Sequence, residues 1–339
     1  HTDIVLCRIT GRNSLPYLAW IRKNFPHGNV VAVDGRLVSL NQGRQLKDEL
    51  EKNGFVFRTD VDPVKSVWTE RPALPEAPVY EHPAEFTGLS RAEKIARVRT
   101  EMQAADSDWH LITALDDIAW MLNLRGSDIQ YNPVFMAYLL LGRDKAILTV
   151  DPEKLPETLR QTLENEGMEI KPYETIFDRV GELPEGSVLL LDPQRTTFSM
   201  SESVSEKVKT RESVNPAMLL KSRKTASEIE HVRQTMIQDG AAFCEFQAWF
   251  DAVQKTDARK TLTELTVAEK IESLRASRPF YVSPSFATIA GFNANGALPH
   301  YQATEKAFSS IEGDGLLLID TGGQYLSGTT DMTRVIPVG

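Results

Sequence analysis

The chain has 339 residues, of which 41% are hydrophobic and 25% charged, and 38 basic against 47 acidic side chains give a formal net charge of -9. This length allows two or three domains with sizeable cores, while an acidic balance without any basic block argues against a nucleic-acid surface. No run of about 18 apolar residues is present, so no transmembrane helix and no membrane partner are expected.

The chain opens on His1-Thr2-Asp3-Ile4-Val5 and stops at Pro337-Val338-Gly339. The opening is neither an initiator Met nor a signal peptide, and the two ends together suggest a piece of a longer protein. Residues 1 to about 70 read as an incomplete α/β unit. A helix is predicted over 14–25, a strand over 28–34, a helix over 41–53 closed by Gly54, and a strand starting at 55–57. The proline-rich stretch 71–78 should be an extended linker, with Trp68 packed against a domain face.

A second unit begins near Ser90, where Ser90 and Glu93 have the spacing of a capping box. Ile95, Val98 and Met102 follow at helical spacing. Strands are predicted over 109–113, 135–141, 145–150 and 187–191, with helices over 115–122 and 152–166. A third unit opens at Leu219. Thr225 and Glu228 form a second box, and Ile229, Val232, Met236 and Phe243 make an apolar stripe on a helix running to Phe250. Thr266 and Glu269 suggest a third box opening a helix to Leu274. Strands are predicted over 287–289, 316–320 and 333–338. Strands and helices mixed in this order indicate an α/β or α+β architecture.

The chemistry concentrates in Asp320-Thr321-Gly322-Gly323-Gln324-Tyr325-Leu326-Ser327-Gly328-Thr329-Thr330-Asp331. The apolar run 315–319 precedes the first aspartate and a second strand follows the last, which predicts a hairpin with a long connection. Such a hairpin brings both carboxylates to one place. A buried carboxylate needs a partner, and a divalent metal or a pair of metals would serve. Hard carboxylate oxygens suit Mn, Mg or Ca and tolerate Zn or Co, and two metals about 3.5–4 Å apart activate water for hydrolysis. The plainer alternative is that Asp320 and Asp331 cap turns or pair with Arg334.

His300 lies in Ala294-Asn295-Gly296-Ala297-Leu298-Pro299-His300-Tyr301, a loop or strand end. An imidazole beside a metal site can donate a hydrogen bond to a scissile carbonyl or relay a proton. His1, His27, His82, His110 and His231 show no ligand spacing. Ser283 and Ser285 have no evident base, and no phosphate-binding glycine loop is present. Cys7 and Cys244 form no CxxC or metal-type spacing, so reduced thiols in a cytosolic protein are expected.

Three segments together resemble the aminopeptidase P family of the longer, three-domain cytosolic type: 113–126, then 285–289 with 295–301, then 320–334. The resemblance implies two creatinase/prolidase-like α/β domains, over 1–82 and 83–216, followed by the first part of a pita-bread catalytic domain over 217–339. It implies hydrolysis of the N-terminal Xaa-Pro bond of peptides with proline in second position. It also implies two divalent metals, manganese first with zinc or cobalt as alternatives, and a cytoplasmic homodimer. Asp320 would bind one metal, Asp331 would bridge both, and His300 would hydrogen-bond the bound peptide. The family's further His and two Glu ligands would lie beyond Gly339, so the activity is expected of the full-length protein and not of this chain alone. A metal-free creatinase-like enzyme would not need the two aspartates. A catalytically silent peptide-binding module is the alternative.

Overall fold

The computed structural model describes residues 6–8 and 15–339. The expectations placed on His1, on residues 2–5 and on Ser14 lie outside the described residues. The chain divides into two units. One comprises His1–Glu76, Ala96–Ile118 and Met136–Leu219, the other Ala77–Ile95, Ala119–Phe135 and Leu220–Gly339.

The first unit is built on a six-stranded mixed sheet. Its strand order is Lys209–Glu212, Val188–Leu191, Trp109–Ile112, Ala137–Gly142, Ala146–Val150 and Met168–Lys171. Every residue of Ala146–Val150 is buried, as a strand covered on both faces must be. Sequence reasoning missed Lys209–Glu212, whose four residues are all exposed. It carries no apolar signal and exists through parallel pairing with Val188–Leu191. The helix predicted over 152–166 is broken into a 3-10 turn, Pro152–Lys154, and a helix, Glu157–Asn165. Pro156 lacks the N–H that a continuous helix would need there. The early segment adds the parallel pair Val30–Ala32 and Val56–Arg58 and the helix Leu40–Lys52, which Ser39 caps through its hydroxyl. Trp68 does not pack into a domain face: it is 48% exposed, with the Arg71 guanidinium 5.7 Å from its ring centroid.

The second unit places two helices, Ala226–Gln254 and Glu264–Ala276, on one face of a three-stranded antiparallel sheet. The sheet order is Ile289–Phe292, Gly315–Thr321, Met332–Val338. Phe246, Phe250, Val267, Ile271, Leu317 and Ile319 are fully buried between helices and sheet. Alternation along the strands sends these side chains to the core and the intervening residues to the opposite face. Ala290 and Phe292 pair with Ile319 and Leu317. This inward pair sets the register and starts the strand two residues later than the predicted 287–289.

Two further expectations are corrected here. The cap of the second helix is Thr263 boxed with Thr266, not Thr266 with Glu269. The apolar stripe Ile229–Val232–Met236 is not the buried face of the long helix, since Ile229 and Met236 are about two-fifths exposed. The buried stripe is Thr235, Asp239, Ala242, Phe243, Phe246 and Phe250. It keeps helical spacing but starts with two polar residues, because partners for them come from elsewhere in the fold. The Thr225–Glu228 box is present as predicted, and so are both bonds of the Ser90–Glu93 box.

Candidate metal centre

Asp320 is the penultimate residue of the central strand and is flanked on both sides, by Ile289 and by Thr333. Leu317, Ile319 and Thr321 point to the core, so Asp320 lies on the opposite face. It is half-buried, and its Oδ1 is buried without a hydrogen-bond partner. An orphaned carboxylate oxygen in such a position carries a desolvation cost that only a ligand or a further donor removes.

The connection after Asp320 folds back at once. Thr321 pairs with Met332. Beyond that pair, Thr330 N–H donates to the Gly323 carbonyl and Gly323 N–H to the Thr330 hydroxyl, each at 2.9 Å. Asp331 therefore stands across from Gly322. Met332 faces the core, so Asp331 shares the face of Asp320 by period-two alternation. Diagonal neighbours on an antiparallel ladder stand roughly 7–8 Å apart.

The neck depends on glycine. A Cβ on Gly322 would collide with the Thr330 carbonyl and the Ser285 hydroxyl. Ser285 N–H donates to the Gly322 carbonyl at 3.1 Å and its Oγ to the Thr330 carbonyl at 2.8 Å, so this serine is a clamp. Past the neck, Gly323–Tyr325 and Gly328–Thr329 form a small hairpin. Thr235 and Ser327 join hydroxyls at 2.6 Å, and the Tyr325 hydroxyl donates to Asp239 at 3.0 Å. Burial, then Asp239, pushes the Tyr325 phenol well above its ordinary value, so it stays a donor.

Beneath the neck, Arg275 donates to both oxygens of Asp239 and to the Thr321 hydroxyl. Thr321 also meets the Thr288 hydroxyl at 2.8 Å. Sequence reasoning missed Asp239, Arg275 and Tyr325. Their only local signal is that Asp239 falls on a helical stripe shared with Phe243, Phe246 and Phe250. The pairing of either aspartate with Arg334 is not found among the described residues: Arg334 is exposed and donates to the Thr333 carbonyl at 2.7 Å.

His300 is exposed and lies outside the sheet. Tyr301 N–H donates to the Leu298 carbonyl at 3.2 Å, Pro299 occupies the first corner, and His300 has φ 56° at the second. These are the marks of a type II turn, whose second corner normally takes Gly or Asn. A side chain in the left-handed region costs about 1–2 kcal/mol. The loop leading to this turn sits on the aspartate-bearing face. Gly296 lies against the Gly291 carbonyl and the Leu318 side chain, with no free space for a Cβ. No hydrogen bond among the described residues ties His300 to either aspartate. The register thus puts Asp320 and the exposed Asp331 on one sheet face, and His300 lies on a separate turn.

The donor set fits a divalent ion: two hard carboxylates on one face, one with a buried and unpartnered oxygen. The set is not self-sufficient. Among the described residues no cluster of three or more His, Cys, Asp or Glu forms.

Comparison with known proteins accounts for most of the chain. Residues 70–228 match a family model described as Creatinase/Prolidase N-terminal domain, and residues 230–339 match one described as Metallopeptidase family M24. Xaa-Pro aminopeptidase 1 of Dictyostelium discoideum is 35% identical over 332 residues, covering 94% of this chain and 52% of that protein. A probable Xaa-Pro aminopeptidase P of Ajellomyces capsulatus is 35% identical over 335 residues, with 94% and 54% covered. The crystal structure of X-prolyl aminopeptidase from Caenorhabditis elegans, described as a cytosolic enzyme with a di-nuclear active site, matches with a TM-score of 0.88. It is 28% identical and covers 96% of this chain and 54% of that one. The chain spans about half the length of the curated relatives it matches.

Proposed function

Because this chain belongs to the aminopeptidase P family, we propose that the full-length protein carrying it removes the first residue from peptides with proline in second position. The observation that carries this reading is the aspartate pair: Asp320 and Asp331 share one sheet face, and a buried Asp320 oxygen has no partner. In this reading Asp320 would be a ligand to one divalent ion and Asp331 a ligand shared by both. Divalent ions held there would supply Lewis acidity and a water-derived nucleophile at neutral pH.

The chain's own residues hold the remaining geometry. The Gly322–Thr330 neck fixes the separation of the carboxylates. His300, from its exposed turn, hydrogen-bonds the bound peptide next to the scissile bond. Two carboxylates bind a metal pair weakly, so the reading requires further ligands besides those among the described residues. Manganese is the metal proposed first, with zinc or cobalt as alternatives. A cytosolic homodimer is proposed as the working form. The cytosolic enzyme of C. elegans supports the location, and light scattering of the purified protein tests the dimer.

The test is cleavage of an Xaa-Pro peptide by the full-length protein, with and without added manganese, beside Asp331→Ala. Manganese-dependent release of the first residue, lost in the variant, supports the peptidase. A folded, metal-loaded protein that binds the peptide but releases nothing overturns it in favour of a peptide-binding module.

A further inference from the structure

We propose that Glu264 is a positioning residue for His300, holding the turn that presents its imidazole. The inference rests on the reading above, in which His300 meets the bound peptide.

Glu264 is the first residue of the helix Glu264–Ala276 and is 0% exposed. Its carboxylate accepts from four residues of the segment 292–309. Phe292 N–H donates to Oε1 at 2.7 Å and Ser309 N–H to Oε2 at 2.7 Å. The Asn295 amide donates to Oε1 at 3.0 Å and lies 3.3 Å from Oε2. The Tyr301 hydroxyl donates to Oε2 at 2.8 Å. The amide of Asn295 also reaches the Tyr301 and Ser309 hydroxyls, at 3.0 and 2.9 Å. In the other direction, Glu264 N–H donates to the Ser309 carbonyl at 3.1 Å.

A carboxylate offers about four lone-pair sites, so this one is saturated. It stands in the first turn of its helix, where the free backbone N–H groups lie. Burial and the Glu264 hydrogen bond together push the Tyr301 phenol up to about 12, so the phenol remains a donor at neutral pH. One acceptor therefore gathers both ends of the 292–309 segment and two points within it.

His300 is the residue before Tyr301. Its own side chain makes no hydrogen bond among the described residues, and its backbone is held at φ 56°. A left-handed non-glycine residue persists when its surroundings over-determine it. Here the constraints are Pro299 at the entry, Gly296 packed on the sheet, and Tyr301 fastened to Glu264 at the exit. Glu264 is fully buried, so its effect on the reaction passes through the turn.

The test is a double-mutant cycle in the full-length protein on an Xaa-Pro peptide, using His300→Ala, Glu264→Gln and Tyr301→Phe. A Gln at 264 keeps an acceptor but turns an amide N–H toward backbone donors. The expected result is a fall in kcat on the order of ten- to a hundredfold for Glu264→Gln, as for a displacement of about 1 Å, with little change in KM. Tyr301→Phe should give a smaller fall of the same kind. Placed on the His300→Ala background, either substitution should lower kcat by less than about threefold more, because the group it positions is gone. Full additivity on that background overturns the proposal, as does a damaged His300→Ala beside unimpaired Glu264→Gln and Tyr301→Phe. Should Glu264→Gln not fold, Tyr301→Phe decides alone. An unaffected His300→Ala removes the role of His300 itself and this proposal with it, while metal dependence and the Asp331→Ala result remain separate.

Discussion

Arg275 and Asp239 form a buried ion pair, 1% and 0% exposed, under the strand end that carries Asp320. The arginine reaches the Thr321 hydroxyl as well, and the aspartate accepts from Tyr325. One pair thus fastens both the start of the neck and the hairpin beyond it. Breaking a buried pair by removing one partner costs about 3–5 kcal/mol, so Arg275→Met and Asp239→Asn should each lose that much in denaturant unfolding. Arg275→Met combined with Asp239→Leu should regain much of the stability. It should not regain manganese affinity in calorimetric titration, because Thr321 loses its bond from Arg275 and Tyr325 its bond to Asp239. Equal affinity in the double variant would count against any role of the pair in shaping the neck.

Gly322 and Gly240 predict opposite outcomes for the same substitution. At Gly322 a methyl group meets the Thr330 carbonyl, which is backbone and cannot turn away. Gly322→Ala should cost roughly 1–3 kcal/mol and weaken manganese binding. Gly240 lies inside the long helix, and nothing stands within 4 Å of the place a methyl group would take there. Gly240→Ala should therefore stabilise by about 0.5–1 kcal/mol. Thermal unfolding of the two variants checks both signs.

Asp320→Asn separates the proposed ligand role from folding. Its Oδ1 is buried and unpartnered, so the substitution breaks no hydrogen bond at that oxygen in the metal-free protein. The expected outcome is a chelator-treated variant at least as stable as the parent, by up to about 1 kcal/mol, with manganese-dependent cleavage lost. A clear loss of metal-free stability would show that Asp320 has a structural partner.

Stability should also fall on acidification through His82. This imidazole is 7% exposed and its Nδ1 has no partner. Burial first, then the positive charges of Arg125 and Lys94, lower its pKa to about 3. The unfolded chain, with an ordinary value near 6.5, binds a proton that the folded chain refuses. The contribution is therefore complete above about pH 6.5 and is lost as pH falls toward 3, at about 1.4 kcal/mol per unit. His82→Gln should flatten the acid limb of a stability–pH curve. An unchanged slope would place the acid sensitivity in other groups.

The candidate residues were nominated before the fold. The run 315–319 ending in an aspartate, the glycines after it and the Gly- and Asn-containing loop around His300 are local signals with local causes. The helix over 115–122 and the two capping boxes at Ser90 and Thr225 were read at the residues where they occur. What stayed hidden has a common origin. Apolarity alone nominated Ile229 and Met236 for the core, yet the buried stripe begins at Thr235 and Asp239. Those polar residues are tolerated inside because Ser327, Arg275 and Tyr325 arrive to satisfy them.

The sequence by itself determined most of the strands and helices and put the two aspartates at either end of one predicted hairpin connection, since these follow from period, capping and turn chemistry among near neighbours. Only the tertiary structure decided which buried polar groups are paired. Glu264 meets donors 28 to 45 residues away along the chain, and Asp239 meets Arg275 at 36 and Tyr325 at 86. A hydrogen bond needs its partner within about 3 Å in space, and no periodicity along the chain encodes that distance.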